Sequence, residues 1–480
     1  MTTATAFQPP EAIYFDFALL RKVWLYFAIA VLFMAPFSPD PLVVAICGFM
    51  PWALLFIVDR PRMPSVIVFY LLFVWFEAAA RVLLASLDGE SLRDGFYGPD
   101  VYRAYWYSMA SLLVFAVAFR VCLGALPAPP DHQLNEHRSW PPMLLFYLYL
   151  VTSALSFVLF PIAGLSPGIA QPVLAVGSLK FVAMFMLFAT ALSTGNGINL
   201  LVAVVLIEII SGFSGLFSGF KTVFIILFLA ALSLRMTLRP TNVLVGGVAV
   251  VMLLGLGVFW TAVKADYRDV ATGYSGSQAV SSSLVERMGV LMGRAIHPEE
   301  IEWGLATDQL LRRMAYIDFF GASISVSETA PEPGLFARWR DALEHVGKPR
   351  FLFPDKAALD DTEIFARYVR GDGSEENRSG TSISIGYLAE NFVDFGFPGM
   401  LVPIAFMALL AGWTARYFMT RPVAWVVREG FAMALIMTLS SGMELSLAKF
   451  LGSTIMSFVV LALCLKFLYP TVKRWLESRS

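Results

Sequence analysis

Long apolar runs, each followed by a short polar segment, fill most of the chain. A helix needs about 20 predominantly apolar residues to cross a bilayer. Twelve runs reach or approach this length, which predicts an all-α polytopic membrane protein with about twelve transmembrane helices. The predicted spans lie at roughly residues 17–36, 41–58, 64–86, 104–123, 143–163, 173–193, 198–213, 221–235, 243–263, 398–418, 430–447 and 452–469.

The seventh and eighth runs are short, and the stretch between them, SGFSGLFSGFK, is rich in Gly and Ser. Two interpretations stay open. Non-helical backbone at membrane depth survives only where protein or water covers it, so a broken or re-entrant helix here would line a cavity. Alternatively, a tight hairpin loop joins two short helices.

Lys and Arg are shared unevenly between the two sets of short loops. One set holds 14 of them and the opposite set holds 4. The positive-inside rule puts the richer set in the cytoplasm, which places both termini there and turns the long polar segment outward. The N-terminus lacks the early positive region and the cleavage site of a signal peptide, so we expect the first span to be retained as an anchor.

The long polar segment divides the chain into three parts. We predict spans 1–9 in residues 1–263, a large outer loop in 264–397, and spans 10–12 with a cytoplasmic tail in 398–480. Within the loop, Ser281–Ser283 can cap a helix through Arg294, and Pro298–Glu300 can begin another that runs to about Phe320. The strings LFARWRDALEH and TEIFARYV predict two further short helices.

The amino-acid composition excludes several classes of protein. The chain is 58% apolar and 15% charged with a net charge of −1, which excludes a soluble globular enzyme, a disordered chain and a nucleic-acid-binding protein. The three cysteines lie in apolar runs, so we expect neither a disulfide framework nor a metal cluster. The sequence contains no nucleotide-binding loop and no metalloprotease or serine-hydrolase motif in a usable context, and no motif indicates a cofactor.

Ionisable residues in or beside the spans are costly and usually functional. Here they lie towards the outer side of the membrane. They are Glu77, Arg81, Lys180, Glu208, Lys221, Lys264, Asp266, Arg268, Glu390, Asp394, Glu444 and Lys449. Individual cases allow simpler interpretations, because Glu77 and Arg81 are spaced to pair on one helix face and Lys449 can extend to the interface. As a set they predict a polar cavity open to the outer side.

Lys and Arg side chains near the outer surface of the membrane suit an anionic lipid head group or a pyrophosphate. A carboxylate among them can act as general base towards a hydroxyl. No ATP is present outside, so a reaction there needs a substrate with its own leaving group, such as a sugar linked to a polyprenyl pyrophosphate. The alternative is a transporter, with Lys180, Glu208 and Lys221 as relay residues.

Several strings in the second half, taken in order, resemble the Wzy-type polymerases that join O-antigen and exopolysaccharide repeat units. They are VKADYRD, LLRRMAYIDFF, ETAPEPG, KPRFLFPDKAALDD and SISIGYLAENFVDFGFPGMLV, within roughly residues 260–402. The rest of the chain resembles this family only in hydropathy and span count. The O-antigen ligases share the plan but carry a His before a Gly-x-x-Gly ending, and ISIGYLAEN has none.

The resemblance implies a GT-C-like glycosyltransferase of the bacterial inner membrane. It would transfer a growing glycan from its undecaprenyl pyrophosphate carrier to the next lipid-linked unit, with inversion at the anomeric carbon. We identify no metal-ligating residues, and the sequence leaves open whether the reaction requires a metal. Glu390 is our first candidate for the base and Asp394 the second, although Glu390 can also serve only to anchor the tenth span. The candidate pyrophosphate-binding residues are Lys221, Lys264, Tyr267, Arg268, Arg287, Arg294, Arg313 and Arg378.

The implied partners are the undecaprenyl pyrophosphate-linked oligosaccharide, the membrane lipid, and a flippase, chain-length regulator or export proteins. The other classes that the sequence leaves open are an O-antigen ligase, a transporter or flippase of lipid-linked glycan, and a non-enzymatic scaffold of an export complex.

Overall fold

A computed structural model describes residues 14–94, 98–165, 170–213, 219–274, 281–329, 336–348, 353, 356, 361–370 and 383–478. In these ranges every regular element is helical, and the only strand-like contact is one isolated bridge between Tyr14 and Thr237. The all-α prediction is therefore confirmed for the described part of the chain.

The α-helices follow the apolar pattern. In chain order they are α1 Phe17–Met34, α2 Pro41–Val58, α3 Ser65–Asp88, α4 Gly98–Leu123, α5 Asp131–Asn135, α6 Pro142–Leu165, α7 Ala170–Gly177, α8 Leu179–Thr194, α9 Ile198–Gly212, α10 Lys221–Ser233, α11 Pro240–Ala271, α12 Leu284–Ile296, α13 Trp303–Met314, α14 Ile317–Thr329, α15 Ala337–Gly347, α16 Asp361–Phe365, α17 Tyr387–Gly399, α18 Leu401–Met419, α19 Trp425–Met437, α20 Leu447–Leu463 and α21 Tyr469–Glu477.

Nine helical segments within the described ranges are long and apolar enough to cross a membrane, as expected of a polytopic membrane protein. They are Phe17–Phe37, Pro41–Val58, Ser65–Asp88, Gly98–Leu123, Pro142–Leu159, Gln171–Thr194, Pro240–Ala271, Leu401–Met419 and Leu447–Glu477. Two further apolar helices, α9 and α10, have 15 and 13 residues and are shorter than a full crossing. Helix α19, which also lies at a predicted span, has 13 residues.

The helices differ in how much protein surrounds them. In its most apolar stretch α3 is 67% buried, whereas the corresponding stretches of α1 and α11 are each 6% buried. Helix α3 contacts α2, α4 and α19, and α4 also packs along α18. The centre of the bundle therefore lies around α3 and α4, and α1 and α11 lie at its edge.

The short helices of the polar segment fold against one end of the bundle, which we call the loop side. Helix α13 packs on α11 and α3, α14 on α4 and α17, and α15 on α17 and α20. Ser283 caps α12 in a reciprocal pair with Glu286, as its sequence predicts. Helix α11 continues without a break through the predicted boundary at residue 264 and ends at Ala271.

One predicted helix is wrong. The pattern from Pro298–Glu300 to Phe320 forms a 3-10 turn followed by two α-helices, α13 and α14, which are separated at Ala315 and Tyr316. The break lets the buried Tyr316 hydroxyl donate a hydrogen bond to the carbonyl of Ser384. A tertiary contact therefore overrides the helical periodicity at this position.

The end of α9 and the start of α10 lie close together. The amide of Gly219 donates to the carbonyl of Gly212 over 3.1 Å, and the rings of Phe213 and Phe220 stack with centroids 4.7 Å apart. A side chain at Gly212 would meet the Phe220 nitrogen at 2.3 Å. These contacts bring the end of α9 and the start of α10 together. Residues 214–218, which would distinguish the predicted hairpin from the re-entrant helix, lie outside the described ranges.

Candidate functional site

Four cations from three helices converge on the loop side, and we call them the cationic cluster: Lys221, Lys264, Arg268 and Arg313. Lys221 begins α10, Lys264 and Arg268 lie in the last turns of α11, and Arg313 lies in the last turn of α13. Arg313 interacts electrostatically with each of the other three. Lys221 and Arg313 are exposed and the other two are half-buried, so the cluster lies at the protein surface.

This arrangement concentrates like charge. Lys264 and Arg268 are spaced i,i+4, so they share one face of α11, where two like charges destabilise a helix by about 0.2–0.5 kcal/mol. Among the residues that the structure describes, Lys221, Lys264 and Arg313 form no direct ion pair with a carboxylate. Several cations held together in this way suit an anion with more than one negative charge.

The other predicted pyrophosphate-binding residues have different surroundings. Tyr267 is fully buried, and its ring packs edge-on against Trp260 at 5.2 Å. Arg287 lies close enough to Tyr267 for its charge to act on the phenol. Arg294 forms ion pairs with Asp266 at 2.8 Å and Glu300 at 2.9 Å on the protein surface.

Arg378, the last of the predicted pyrophosphate-binding residues, lies outside the described residues. The structure therefore brings four of the eight predicted residues together, places Tyr267 and Arg287 beside each other, and engages Arg294 with two carboxylates.

Both predicted candidates for the base hold backbone amides. The Oε1 atom of Glu390 accepts the amide of Leu447 at 3.0 Å, so it fixes the start of α20. The two carboxylate oxygens of Asp394 accept the amides of Arg338 and Trp339 at 3.0 and 2.8 Å, so they cap α15. Each group thus has a structural use, and its proposed role as base stays a prediction.

Burial changes the proton affinity of Glu390. The carboxyl is 3% exposed, and loss of hydration raises its pKa to about 8 despite the opposing hydrogen bond from Leu447. A group with such a pKa is mostly protonated at neutral pH, so only a minor fraction of it is ionised and able to accept a proton. A less buried carboxylate on the loop side would therefore be a better candidate for the general base.

A third carboxylate, Glu444, lies next to the cationic cluster. It ends the 3-10 turn Gly442–Glu444 between α19 and α20, it is half-buried, and it interacts electrostatically with Lys221. The buried Glu77 of α3 holds the same turn, because its Oε2 accepts the amide of Met443 at 2.7 Å. Sequence reasoning noticed both charges but did not place them in the site.

The remaining charges on this side form specific pairs. Arg81 pairs with Asp318 of α14 at 3.2 Å, so the simple pairing of Arg81 with Glu77 does not form. Lys449 pairs with the buried Asp361 at 2.6 Å and thereby ties α16 to α20. These pairs attach the loop helices to the bundle.

One further pair, Lys180 with Glu208, joins α8 and α9 at 3.0 Å, and the Tyr149 hydroxyl donates to the same carboxylate at 2.8 Å. No group of three His, Cys, Asp or Glu side chains in the described ranges is arranged to hold a metal ion. The three cysteines are buried and unpaired.

No protein-family model, curated protein or solved structure matches this chain.

Proposed function

We propose that the protein is a membrane glycosyltransferase that polymerises undecaprenyl pyrophosphate-linked oligosaccharide units in exopolysaccharide or O-antigen synthesis. The growing glycan is transferred with inversion from its lipid pyrophosphate to a hydroxyl of the next lipid-linked unit. The reaction takes place on the loop side, which is the periplasmic face of a bacterial inner membrane in this proposal.

The cationic cluster is the observation that carries the proposal. Pyrophosphate leaves as a stable anion when cations neutralise the negative charge that develops on it. Lys221, Lys264, Arg268 and Arg313 converge on one place at the protein surface, at the loop-side end of the helices. This is where the head group of a lipid-linked substrate would lie while its chain stays in the bilayer.

The proposal includes twelve spans and a GT-C-like fold. The short apolar helices α9, α10 and α19 would complete the nine long spans. An even number of spans then leaves both termini in the cytoplasm, in agreement with the distribution of Lys and Arg in the short loops.

Transport of a lipid-linked glycan is the second candidate, and one observation favours it. The pair of Lys180 and Glu208, with Tyr149 as a third member, lies between helices within the bundle. Ionisable residues in such positions often form ion or proton relays in transporters. The same pair can equally fix the packing of three helices, so it carries less weight than the cationic cluster.

The test uses the purified protein in liposomes with undecaprenyl pyrophosphate-linked repeat units from the host. We expect a ladder of longer glycans without ATP or an ion gradient. The Arg313→Gln variant should lose about 100-fold in rate, as expected when one charge-stabilising group is removed from a reacting centre.

Arg312→Gln is the matched control. Arg312 is the neighbouring residue of α13, but it pairs with Asp308 at 2.8 Å, so its removal should leave the rate unchanged. Translocation of the lipid without any ladder would contradict the polymerase and support the transporter. Equal rates for the two arginine variants would contradict the role of the cluster.

A further inference from the structure

The turn that carries Glu444 is fixed from the bundle side. Gly442 has a φ of +56°, a backbone conformation that residues other than glycine rarely adopt. A Cβ atom at this position would meet the Oε2 of Glu77 at 2.1 Å, and that oxygen accepts the next amide, of Met443. The backbone of the turn and the Glu77 carboxylate thus lie in direct contact without room for a side chain between them.

The same turn is fixed from the opposite side by the residues before α17. Gly386 has a φ of +85°, and a Cβ there would meet the carbonyl oxygen of Met443 at 2.0 Å. The amide of Tyr387 donates to the carbonyl of Leu445 at 2.7 Å. Two separate parts of the chain, Glu77 of α3 and the residues Gly386 and Tyr387, therefore hold a turn of three residues in one conformation.

The side chain that this turn presents is placed differently from the other carboxylates nearby. Glu77 and Glu390 are buried and each accepts a backbone amide, whereas Glu444 is half-buried and no hydrogen bond to it is formed by a described residue. It lies close enough to Lys221 for their charges to interact. A carboxylate on a rigid mount, open to solvent and beside the anion-binding cations, has the geometry of a catalytic group.

We propose that Glu444 is the general base of the glycosyl transfer and that Glu77 is the positioning residue that holds its turn. This inference rests on the proposed function. It replaces Glu390 and Asp394, the sequence-based candidates on α17, with a residue of the turn between α19 and α20.

The step balances without any other reactant. The Glu444 carboxylate takes the proton of the acceptor hydroxyl while that oxygen forms a bond to the anomeric carbon. The bond between the anomeric carbon and the pyrophosphate oxygen breaks, and the electron pair leaves with the lipid pyrophosphate. The cationic cluster stabilises the leaving charge. Glu444 then gives its proton to water.

The first experiment compares Glu444→Gln with Glu90→Gln, an exposed carboxylate at the loop-side end of α3 that serves as the matched control. We expect Glu444→Gln to lower the single-turnover rate by about 10²–10⁴-fold, the usual contribution of a positioned base, and Glu90→Gln to leave it unchanged. Binding of undecaprenyl pyrophosphate should stay within about threefold of the wild type, because the cations are intact. Glu444→Asp should restore part of the rate with a shifted pH profile.

The second experiment separates positioning from folding. Glu77→Gln keeps an oxygen that can accept the Met443 amide, whereas Glu77→Ala does not. We expect Glu77→Gln to retain most of the rate and Glu77→Ala to lose it, with lipid pyrophosphate binding preserved in both. Equal loss in both variants would overturn the positioning role.

The outcomes separate this inference from the proposed function. If the wild type makes no ladder, the proposed function fails and the base has no reaction to serve. If the wild type elongates glycans and Glu444→Gln elongates them equally well, the function stands and Glu444 is not the base. Loss of the rate in Glu390→Gln but not in Glu444→Gln would assign the base to Glu390. Loss of both lipid binding and rate in Glu444→Gln would make Glu444 only a partner of Lys221.

Discussion

Gly442→Ala is the substitution that most directly tests how the turn beside the cationic cluster is built. The added Cβ would lie 2.1 Å from the Oε2 of Glu77, well inside van der Waals contact. Glu77 can make room only by giving up its 2.7 Å hydrogen bond to the Met443 amide. The substitution therefore strains the backbone and breaks a buried polar contact at the same time.

The expected cost follows from these two effects. Holding alanine in the left-handed region costs about 1–2 kcal/mol. A buried donor or acceptor that loses its partner costs about 1–3 kcal/mol more. Gly442→Ala should thus lower the free energy of unfolding by about 2–5 kcal/mol. Gly89→Ala is the control, because Gly89 has a φ of +70° with no atom within 4 Å of its Cβ, so it reports the backbone cost alone.

The assay is denaturant titration in mixed micelles, followed by tryptophan fluorescence. A double-mutant cycle with Glu77→Ala tests the contact itself. In the Glu77→Ala background, Gly442→Ala should lower the free energy of unfolding by no more than Gly89→Ala does. Equal costs for Gly442→Ala and Gly89→Ala in the wild-type background would refute the reasoning, since Glu77 would not be in contact with the turn.

Two further predictions concern the sequence-based candidates for the base. Glu390 has a pKa near 8 in the folded protein, raised by burial, against about 4.3 in the unfolded chain. Its contribution to stability is therefore fully present below about pH 4.3 and is lost as pH rises through about 8. Thermal unfolding should show Glu390→Gln gaining stability over the wild type between pH 5 and 8, and parallel curves would contradict the pKa shift. In Asp394→Asn, one of the two backbone amides at the start of α15 loses its acceptor. The substitution should lower the free energy of unfolding by about 0.5–2 kcal/mol and speed amide hydrogen exchange in α15. Unchanged exchange there would show that Asp394 does not hold this helix.

The hydrophobic pattern predicts most of the fold because each long helix depends on its own composition. The nine long spans in the described ranges coincide with predicted apolar runs. The capping box of α12 was also predictable, since Ser283 and Glu286 are three residues apart and need nothing else. Local rules fail at Tyr316, where a hydrogen bond to Ser384, 68 positions away, breaks the helix.

The sequence predicts that the charges lie towards one side of the membrane, but it does not predict which of them meet. Lys264 and Arg268 share a helix face by spacing alone, whereas their approach to Arg313 depends on how α13 packs on α11. Glu77 meets the Met443 amide across 366 positions. Contacts between residues so far apart in the sequence depend on how the whole helix bundle packs, and no local sequence pattern predicts them.

A weak signal for the turn was nevertheless present in the sequence. The string SSGMELSLAK places a carboxylate two residues after a Gly, in the short connection between two apolar runs. A charged residue in so short a connection has to lie near the ends of the spans. Its neighbours in space, Lys221 and Glu77, were visible only in the structure.

The most direct test of the account is elongation of an undecaprenyl pyrophosphate-linked oligosaccharide by purified protein in liposomes, without ATP or a gradient. We predict a ladder of products from the wild type and from Arg312→Gln, and a loss of about 100-fold in rate for Arg313→Gln. If the wild type binds or moves the lipid but makes no ladder, the protein is not a polymerase and the cationic cluster serves transport.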